Sequence, residues 1–532
     1  MIESEIAIVG CGPVGALMAN LLGRRGVRTV VLEKATEIHP LPRAVGMDDE
    51  VMRVLQLLDL DAAYTEDVYS LKGMDLLRGN RSRLRRIRLN SRDETLGFPL
   101  LTLFHQPTLE GHIRDGVNRY ADNVDVRLGV DVRTIRDLAD SVEIDMVNTE
   151  TGEEETVSAR YVLGCDGGRS FVRATFGIEQ EDLGLHQPWV VVDTLMKRPI
   201  EVSGYAEQIC GSKRPGTFIP SPPPRNRWEF MIMPGDELEK MTRPETLNEL
   251  IRPWADPEDY EVERAAIYTF HALIAKKWRM GQAGNILILG DAAHQMPPFL
   301  GQGMCAGVRD AINLAWKLDL VLRGLADTRL LDTFQSERSQ HVRKIIQVAV
   351  RIGKIIQSPS RIQSFIANAL MVLSERFGIE VPIRPTKSVP LGPGFYSAQH
   401  ATSQHLRCPF PQPLVSNSEG KTVRLDECLG SDFTLIFRNL DIGDVESGRC
   451  ADLVKPIQVV GSGDSVSGNA LVDIEGVIGN WMDEHRCDAV LLRPDRQPYG
   501  VYKDDCAAMS YVLEDLMCGL GMGVQTNAAV GA

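Results

Sequence analysis

The sequence contains no C-x-x-C pair, and no His stands at zinc-finger spacing from any of its ten cysteines, at positions 11, 165, 210, 305, 408, 428, 450, 487, 506 and 518. A disulfide scaffold and a structural zinc site are therefore both disfavoured, and no metal is expected. Basic residues are in deficit: 58 Lys and Arg face 72 Asp and Glu, for a formal net charge of -14. That charge repels phosphate backbones and anionic lipid over most of the exterior, so no nucleic-acid partner is expected, although a local basic pocket for a small anion is compatible with it. No apolar run reaches the length of about 18 residues that a membrane-spanning helix needs. The opening MIESEIAIVG carries acids where a secretory signal carries Lys or Arg, so the expectation is a cytoplasmic protein with no membrane anchor. Aromatic residues are sparse at 6%, but 43% hydrophobic and 24% charged residues are ordinary globular usage. A chain of 532 residues can bury a large core, and its length suggests about three domains.

What is present begins with IAIVGCGPVGALMANLLGRRGVRTVVLEK. A short apolar strand, Ile6 to Val9, turns through Gly10, Gly12 and Gly15 into a helix whose Leu17, Met18, Leu21 and Leu22 share a face, and a second strand, Thr29 to Leu32, ends at Glu33. Gly10 permits the tight turn, Gly12 lets the backbone approach a pyrophosphate, and Gly15 lets helix and strand pack closely. Glu33 falls 23 residues after Gly10, near the spacing at which a carboxylate accepts hydrogen bonds from an adenosine ribose. This pattern reads as a dinucleotide site and leaves NAD and FAD undistinguished.

Two further acids follow apolar strands. ARYVLGCDGGRSFVR places Asp166, Gly167 and Arg169 after Tyr161 to Cys165, and GNILILGDAAHQMPPFLGQGM places Asp291 after Ile286 to Leu289. In open α/β sheets the ligand crevice lies outside the carboxyl ends of the strands, so Glu33, Asp166 and Asp291 are expected on one side of one sheet. After Asp291 a turn, Gly301-Gln302-Gly303, leads into a helix with an apolar face of Met304, Val308, Ala311, Ile312, Ala315 and Leu318, from which Arg309, Asp310, Asn313 and Lys317 are excluded. Its N-terminus suits an anionic ring locus. Asp291 also has a plain reading as a helix cap, and His294 reads as a structural residue beneath the loop.

Together, GCGPVG, PRAVGMDDE, CDGGRSFVR and GDAAHQMPPFLGQGMCAGVRDAINLAWKL resemble the single-component FAD-dependent aromatic hydroxylases of the p-hydroxybenzoate hydroxylase fold, and within them the 3-(3-hydroxyphenyl)propionate hydroxylase group, over roughly the first 350 residues. The resemblance implies that Gly12, Glu33, Arg43 and Gln106 hold the adenosine and pyrophosphate portions of FAD, with Gly10, Pro13, Val14, Gly15 and Lys34 also cofactor-binding. It implies that Asp291 binds the ribityl chain, that Gly301, Gln302, Gly303 and Met304 contact the isoalloxazine ring, and that Pro297 and Pro298 line the flavin side of the substrate cavity. Asp166, Gly167 and Arg169 match a second acid-glycine motif associated with FAD and the nicotinamide cofactor. The implied cycle has NADPH or NADH reduce FAD as a transient donor without a domain of its own, O2 form a flavin C4a-hydroperoxide, and a small phenolic or related aromatic substrate take the terminal oxygen. Val45 occupies the place, two after Arg43, where some phenol-hydroxylating relatives carry an ionisable residue, so their base is not carried over. Asp48, Asp49, Tyr268 and His271 stand as the catalytic candidates. A monooxygenase or epoxidase acting on a polycyclic, quinoline or alkene-bearing metabolite, and a flavin oxidase or dehydrogenase, are the alternative readings.

The expected fold is α/β: a Rossmann-like FAD-binding domain over 1-180 and 281-385 with long helices, an inserted β-sheet substrate domain over 181-280 that part of 70-105 joins, and a thioredoxin-like C-terminal domain over 390-532. Strand-like runs such as WVVVDTLM and RWEFMIMPG support the insert, with Tyr268, Phe270 and His271 as cavity or core residues. The C-terminal part lacks C-x-x-C, which points to packing or a homodimer contact rather than redox chemistry. The glycine-rich VGSGDSVSG and GLGMGV lack the strand, helix and acid of a dinucleotide site.

Overall fold

The computed structural model describes residues 2–64, 67–89, 94–200, 203–357, 360–379, 389–400, 403–438, 440, 451–461, 470–503 and 509–522; most of VGSGDSVSG, the end of GLGMGV, Cys450 and Cys506 lie outside them. Two compact units result, one of Met1–Glu94, Pro99–Arg309 and Val342–Thr386, the other of Thr95–Phe98, Asp310–His341 and Lys387–Ala532.

In the first unit, five parallel strands lie in the order Ile286–Ile288, Glu154–Gly164, Ile2–Val9, Thr29–Glu33, Val124–Leu128. In the inner strands the apolar runs are unbroken where both faces are covered, and Ile6, Ile8, Val30, Val162 and Leu287 are wholly buried, whereas the edge strand Val124–Leu128 alternates and exposes Val126 and Leu128. The helix Pro13–Gly23 crosses from the first strand to the second. It packs so closely that a Cβ on Gly15 would lie 2.0 Å from the carbonyl oxygen of Gly10. Gly10 itself has φ 99°, open to glycine but costly for other residues.

A second sheet of eight strands pairs the long strands Gln180–Met196 and Tyr260–Ala275, with His294–Gln295 at one edge. On the other side follow Arg225–Met231, Gly216–Pro220 and Tyr205–Ile209, then Gly73–Leu77 and Arg83–Arg88 from much earlier in the chain. Period-2 alternation divides its faces. Val190, Val192, Phe218, Trp228 and Phe230 pack against Leu247 and Ile251 of the helix Pro244–Ile251. Trp189, Val191 and Asp193, paired with Met231, Glu229 and Arg227, occupy the opposite, inner face.

The second unit carries seven strands in the order Thr422–Arg424, Leu414–Ser416, Leu471–Asp473, Val454–Val460, Phe433–Phe437, Ala489–Leu492, Pro498–Tyr502. Phe433–Phe437 is parallel to Val454–Val460 and antiparallel to Ala489–Leu492. Beside this sheet the helix Gly303–Leu322 buries its polar side as well as its apolar one, since Asp310 and Lys317 are 0% exposed. Each charge has a partner: Arg338 donates to Asp310 at 2.8 Å, and Lys317 to Glu337 at 2.9 Å. Glu337 also accepts from Arg493 at 3.0 and 2.9 Å, from Asn313 at 2.7 Å and from the Phe395 amide at 2.7 Å.

Burial alone would raise the Glu337 carboxyl, but Arg493 and Lys317 outweigh it and hold the group well below the usual carboxylate range. Its contribution to stability is therefore present above the unfolded-state value and lost as pH falls through the folded one. Removing its charge leaves two buried cations poorly matched, at a cost on the order of 3 kcal/mol. Thermal unfolding of Glu337→Gln beside the wild type is expected to show a large gap at neutral pH that narrows as the medium is acidified below about pH 4; a gap independent of pH would contradict the ion-pair account.

Candidate functional site

The carboxyl ends of four adjacent parallel strands bring the three acids together. Glu33 ends its strand, while Asp166 follows Gly164 and Asp291 follows Ile288 on neighbouring strands. A Cβ on Gly10 would lie 3.0 Å from Cα of Asp166, and one on Gly290 3.3 Å from the Val14 side chain. Both remote acids thus flank the first glycine turn.

Several features leave this crevice built for a ligand. Gly12 caps the helix Pro13–Gly23 with no side-chain hydrogen bond, and no acid lies in the first turn, so the N-terminal amides and dipole are free to face an anion. Added Cβ atoms on Gly12, Gly167 and Gly301 would meet nothing within 4 Å, which leaves backbone open at three points of the crevice. One buried oxygen of Asp166, Oδ1, has no hydrogen-bond partner among the described residues. Burial raises the Asp166 carboxyl, opposed by its bonds to Ser170 and to the amide of Val172 at 2.9 Å. Glu33 accepts from the Cys11 amide at 2.6 Å and from the Ala35 amide at 2.9 Å, with lone pairs to spare. Beyond it an open cleft of about 480 Å³ is lined by Lys34, Thr36, His39 and Thr149 among others. Asp291 and Arg169 are exposed.

Three clamps fix the loops. Gln106 accepts from the amides of Arg43 and Ala44, both at 2.8 Å. Arg173 donates to the carbonyls of Gly168 at 2.8 Å and Ala292 at 2.9 Å, tying the two acid-glycine motifs together. Arg309 donates to Gln302 at 3.0 Å, to Glu50 at 2.8 Å and to Asp48. Burial opposes the charge of Arg309, but Asp48 and Glu50 outweigh it and keep it firmly protonated. The turn Pro298–Leu300 ends at Gly301 with φ 63°, and Gly303 and Met304 open the following helix. The Arg173 and Arg309 clamps carry no motif signal beyond an arginine near a glycine turn.

The four catalytic candidates part company. Asp48 caps the helix Asp49–Leu57 through the Val51 amide at 3.2 Å and pairs with Arg309, and Asp49 is buried in that helix's first turn. Tyr268 lies on the inner face with Phe270, 6.5 Å between ring centroids, and the Arg264 guanidinium is 4.6 Å from its ring. Strand alternation puts His271 on the other face, where its Nδ1 is 2.7 Å from Nδ1 of His186, whose Nε2 is 2.6 Å from Asp182. His294 is wholly buried, 5.3 Å from the Trp278 ring.

Between these positions the inner face holds a buried polar group that the sequence reading does not single out. Arg227 binds Asp193 through two bonds of 2.6 and 3.0 Å and donates to the carbonyls of Pro42 at 2.6 Å and Arg43 at 2.9 Å. Arg264 donates to the same Pro42 carbonyl at 2.6 Å. At the other end, Trp189 meets Phe299 of the glycine turn edge to face, 6.0 Å between centroids. The sheet's inner face is thus fastened at both ends to segments that carry the dinucleotide motifs.

Residues 3–349 match the family profile described as FAD binding domain, and residues 408–513 the one described as HcaD C-terminal domain. The chain is 33% identical over 506 residues to a probable NADH-specific resorcinol 4-hydroxylase of Rhodococcus jostii, covering 94% of this chain and 92% of that one. It is 32% identical over 539 aligned positions to a 3-(3-hydroxy-phenyl)propionate/3-hydroxycinnamic acid hydroxylase of Burkholderia cenocepacia, covering 96% and 95%. Among solved structures, the flavin-dependent monooxygenase PieE, in complex with FAD and substrate, superposes with a TM-score of 0.82 at 19% identity over 98% of this chain and 100% of that one. Aklavinone-11 hydroxylase, with FAD and aklavinone, gives 0.80 at 22% over 98% and 99%. These two likenesses concern the fold.

The uncapped helix, the open glycines and the orphaned carboxylate oxygen fit FAD. Because Arg173 joins both acid-glycine motifs, Arg173→Ala is expected to weaken FAD binding by about 10- to 100-fold, the worth of one or two buried charge-assisted bonds. Fluorescence titration of the apoprotein with FAD measures this, and unchanged affinity would remove the clamp from the account.

Proposed function

The chain belongs to the FAD binding domain family and is an FAD-dependent aromatic monooxygenase, and from that premise we propose that it hydroxylates a single-ring phenol with NADH as electron donor. The observation that carries this reading is near full-length similarity to hydroxylases named for resorcinol and 3-(3-hydroxyphenyl)propionate, the former NADH-specific.

When bound, FAD supplies the redox chemistry, accepting a hydride and delivering one atom of O2 to the ring. The chain's own residues would do the rest. The amides at Gly12 and the helix behind it would hold the pyrophosphate, Glu33 the ribose, and Asp291 the ribityl hydroxyls. The backbone of Gly301 to Met304, held by Arg309 through Gln302, would face the ring. Trp189 and Phe299 would close one end of the cavity to water, and the Arg227 and Arg264 contacts to Pro42 the other.

We read the C-terminal unit as thioredoxin-like, which its parallel central pair, its antiparallel hairpin Ala489–Leu492 with Pro498–Tyr502 and its closing helix Met509–Leu520 support. Without C-x-x-C, and with the Cys487 thiol pushed up to about 12 by burial, it serves packing or a homodimer contact.

The purified protein is expected to be yellow, to oxidise NADH faster in the presence of resorcinol or 3-(3-hydroxyphenyl)propionate, and to place one atom of labelled O2 in the product. A flavin-loaded enzyme that ignores every phenol, or that returns all oxygen as peroxide, would overturn the proposal in favour of an oxidase.

A further inference from the structure

Resting on the reading of the chain as a phenol hydroxylase, we propose that Glu229 is the base that takes the proton from the substrate's phenolic hydroxyl. The phenol O–H bond breaks, its electron pair stays on the ring oxygen, and the proton forms an O–H bond with the Glu229 carboxylate.

Placement comes first. On the inner face Glu229 pairs with Val191, between the Trp189–Met231 pair and the Asp193–Arg227 pair. Each flanking pair is about 7 Å along the strand. Those flanking pairs are the two fastened ends of the face, at Phe299 and at the 42–43 segment. Glu229 therefore stands between the two contacts that fasten the inner face to the segments framing the crevice.

Its surroundings come second. Glu229 is 6% exposed, and its nearest cation, Arg227 Nη1, is 3.9 Å away, too far for a hydrogen bond. Arg227 already gives its fork to Asp193 and the carbonyls of Pro42 and Arg43. Across the sheet Thr217 stands opposite Glu229, but its hydroxyl donates to Gln208 at 3.0 Å, and the Gln208 amide donates to the carbonyls of Gly216 at 2.9 Å and Ile209 at 3.2 Å. No neighbour among the described residues donates to Glu229. Its lone pairs are thus left open to a donor from outside the protein, and a phenol O–H is such a donor. Burial raises the carboxyl's proton affinity; the charges acting on it are Arg227 of its own strand, which opposes the shift, and Asp193 of the next strand, which adds to it. The shift brings it nearer to a phenol, as a base requires.

The test uses the FAD-loaded enzyme. Equilibrium dialysis against resorcinol without NADH reads binding alone. A wild-type Kd that weakens as the medium is acidified through the range in which the carboxyl gains its proton, by up to about tenfold per pH unit, is expected, against a nearly flat Kd for Glu229→Gln. With NADH and O2, Glu229→Gln is expected to keep its flavin. It should lose about 100-fold or more in hydroxylated product and release peroxide instead, with recovery at alkaline pH, where the phenol ionises unaided. A wild-type Kd that stays flat down to the lowest pH at which the enzyme keeps its flavin overturns the proposal even if the variant does not fold, and so does unchanged product per NADH in a folded variant. A wild-type enzyme that hydroxylates no phenol instead overturns the reading on which the proposal rests.

Discussion

The buried pair of Arg227 and Asp193 is the constraint on which the site depends. Asp193 fixes the guanidinium through two bonds, and the remaining N–H groups reach the Pro42 and Arg43 carbonyls. One side chain thereby belongs at once to the inserted sheet and to the segment that Gln106 pins beside the dinucleotide crevice. Breaking such a pair would strand a charge at low dielectric, which costs far more than its surface equivalent. The position of the inner face over the crevice is held by that penalty rather than by apolar contact alone.

Two arginine clamps extend the same logic to the loops. Arg173 and Arg309 each bind groups more than a hundred residues away in sequence, so the loops that would hold the cofactor are set before it arrives. Preorganisation of this kind spares the ordering cost at the moment of binding. It also leaves open space beside the backbone at Gly12 and Gly301, where a side chain would otherwise stand.

The parts legible in the sequence were those with local rules. The steric tasks of Gly10 and Gly15 could be read from spacing, and in the structure Gly15 has no room for a Cβ against Gly10. The apolar strands before Asp166 and Asp291 marked neighbours in one parallel sheet because a strand buried on both faces needs an unbroken apolar run. What stayed hidden was pairing at a distance. Lys317 and Asp310, outside the helix's apolar face, are buried against Glu337 and Arg338, which no periodicity reveals. Alternation could have separated Tyr268 from His271, and it marks Arg227 and Glu229 as polar positions in an apolar strand. Which partners meet them depends on strands as distant as Gly216–Pro220 and on the loop at Pro42.

The order of strands in the first sheet bears on how the protein is made. Glu154–Gly164 lies between Ile2–Val9 and Ile286–Ile288. A ribosome must therefore have issued more than half the chain before the carboxyl end of Glu154–Gly164, whose amino-terminal part already pairs with Ser141–Asn148, gains its neighbour on that side. Until then the nascent polypeptide leaves the edge at Val162 to Gly164 unpaired, a short apolar surface that invites chaperones and wrong partners alike. The crevice at the strand ends is completed only with the same event, because the loop bearing Asp291 emerges after it.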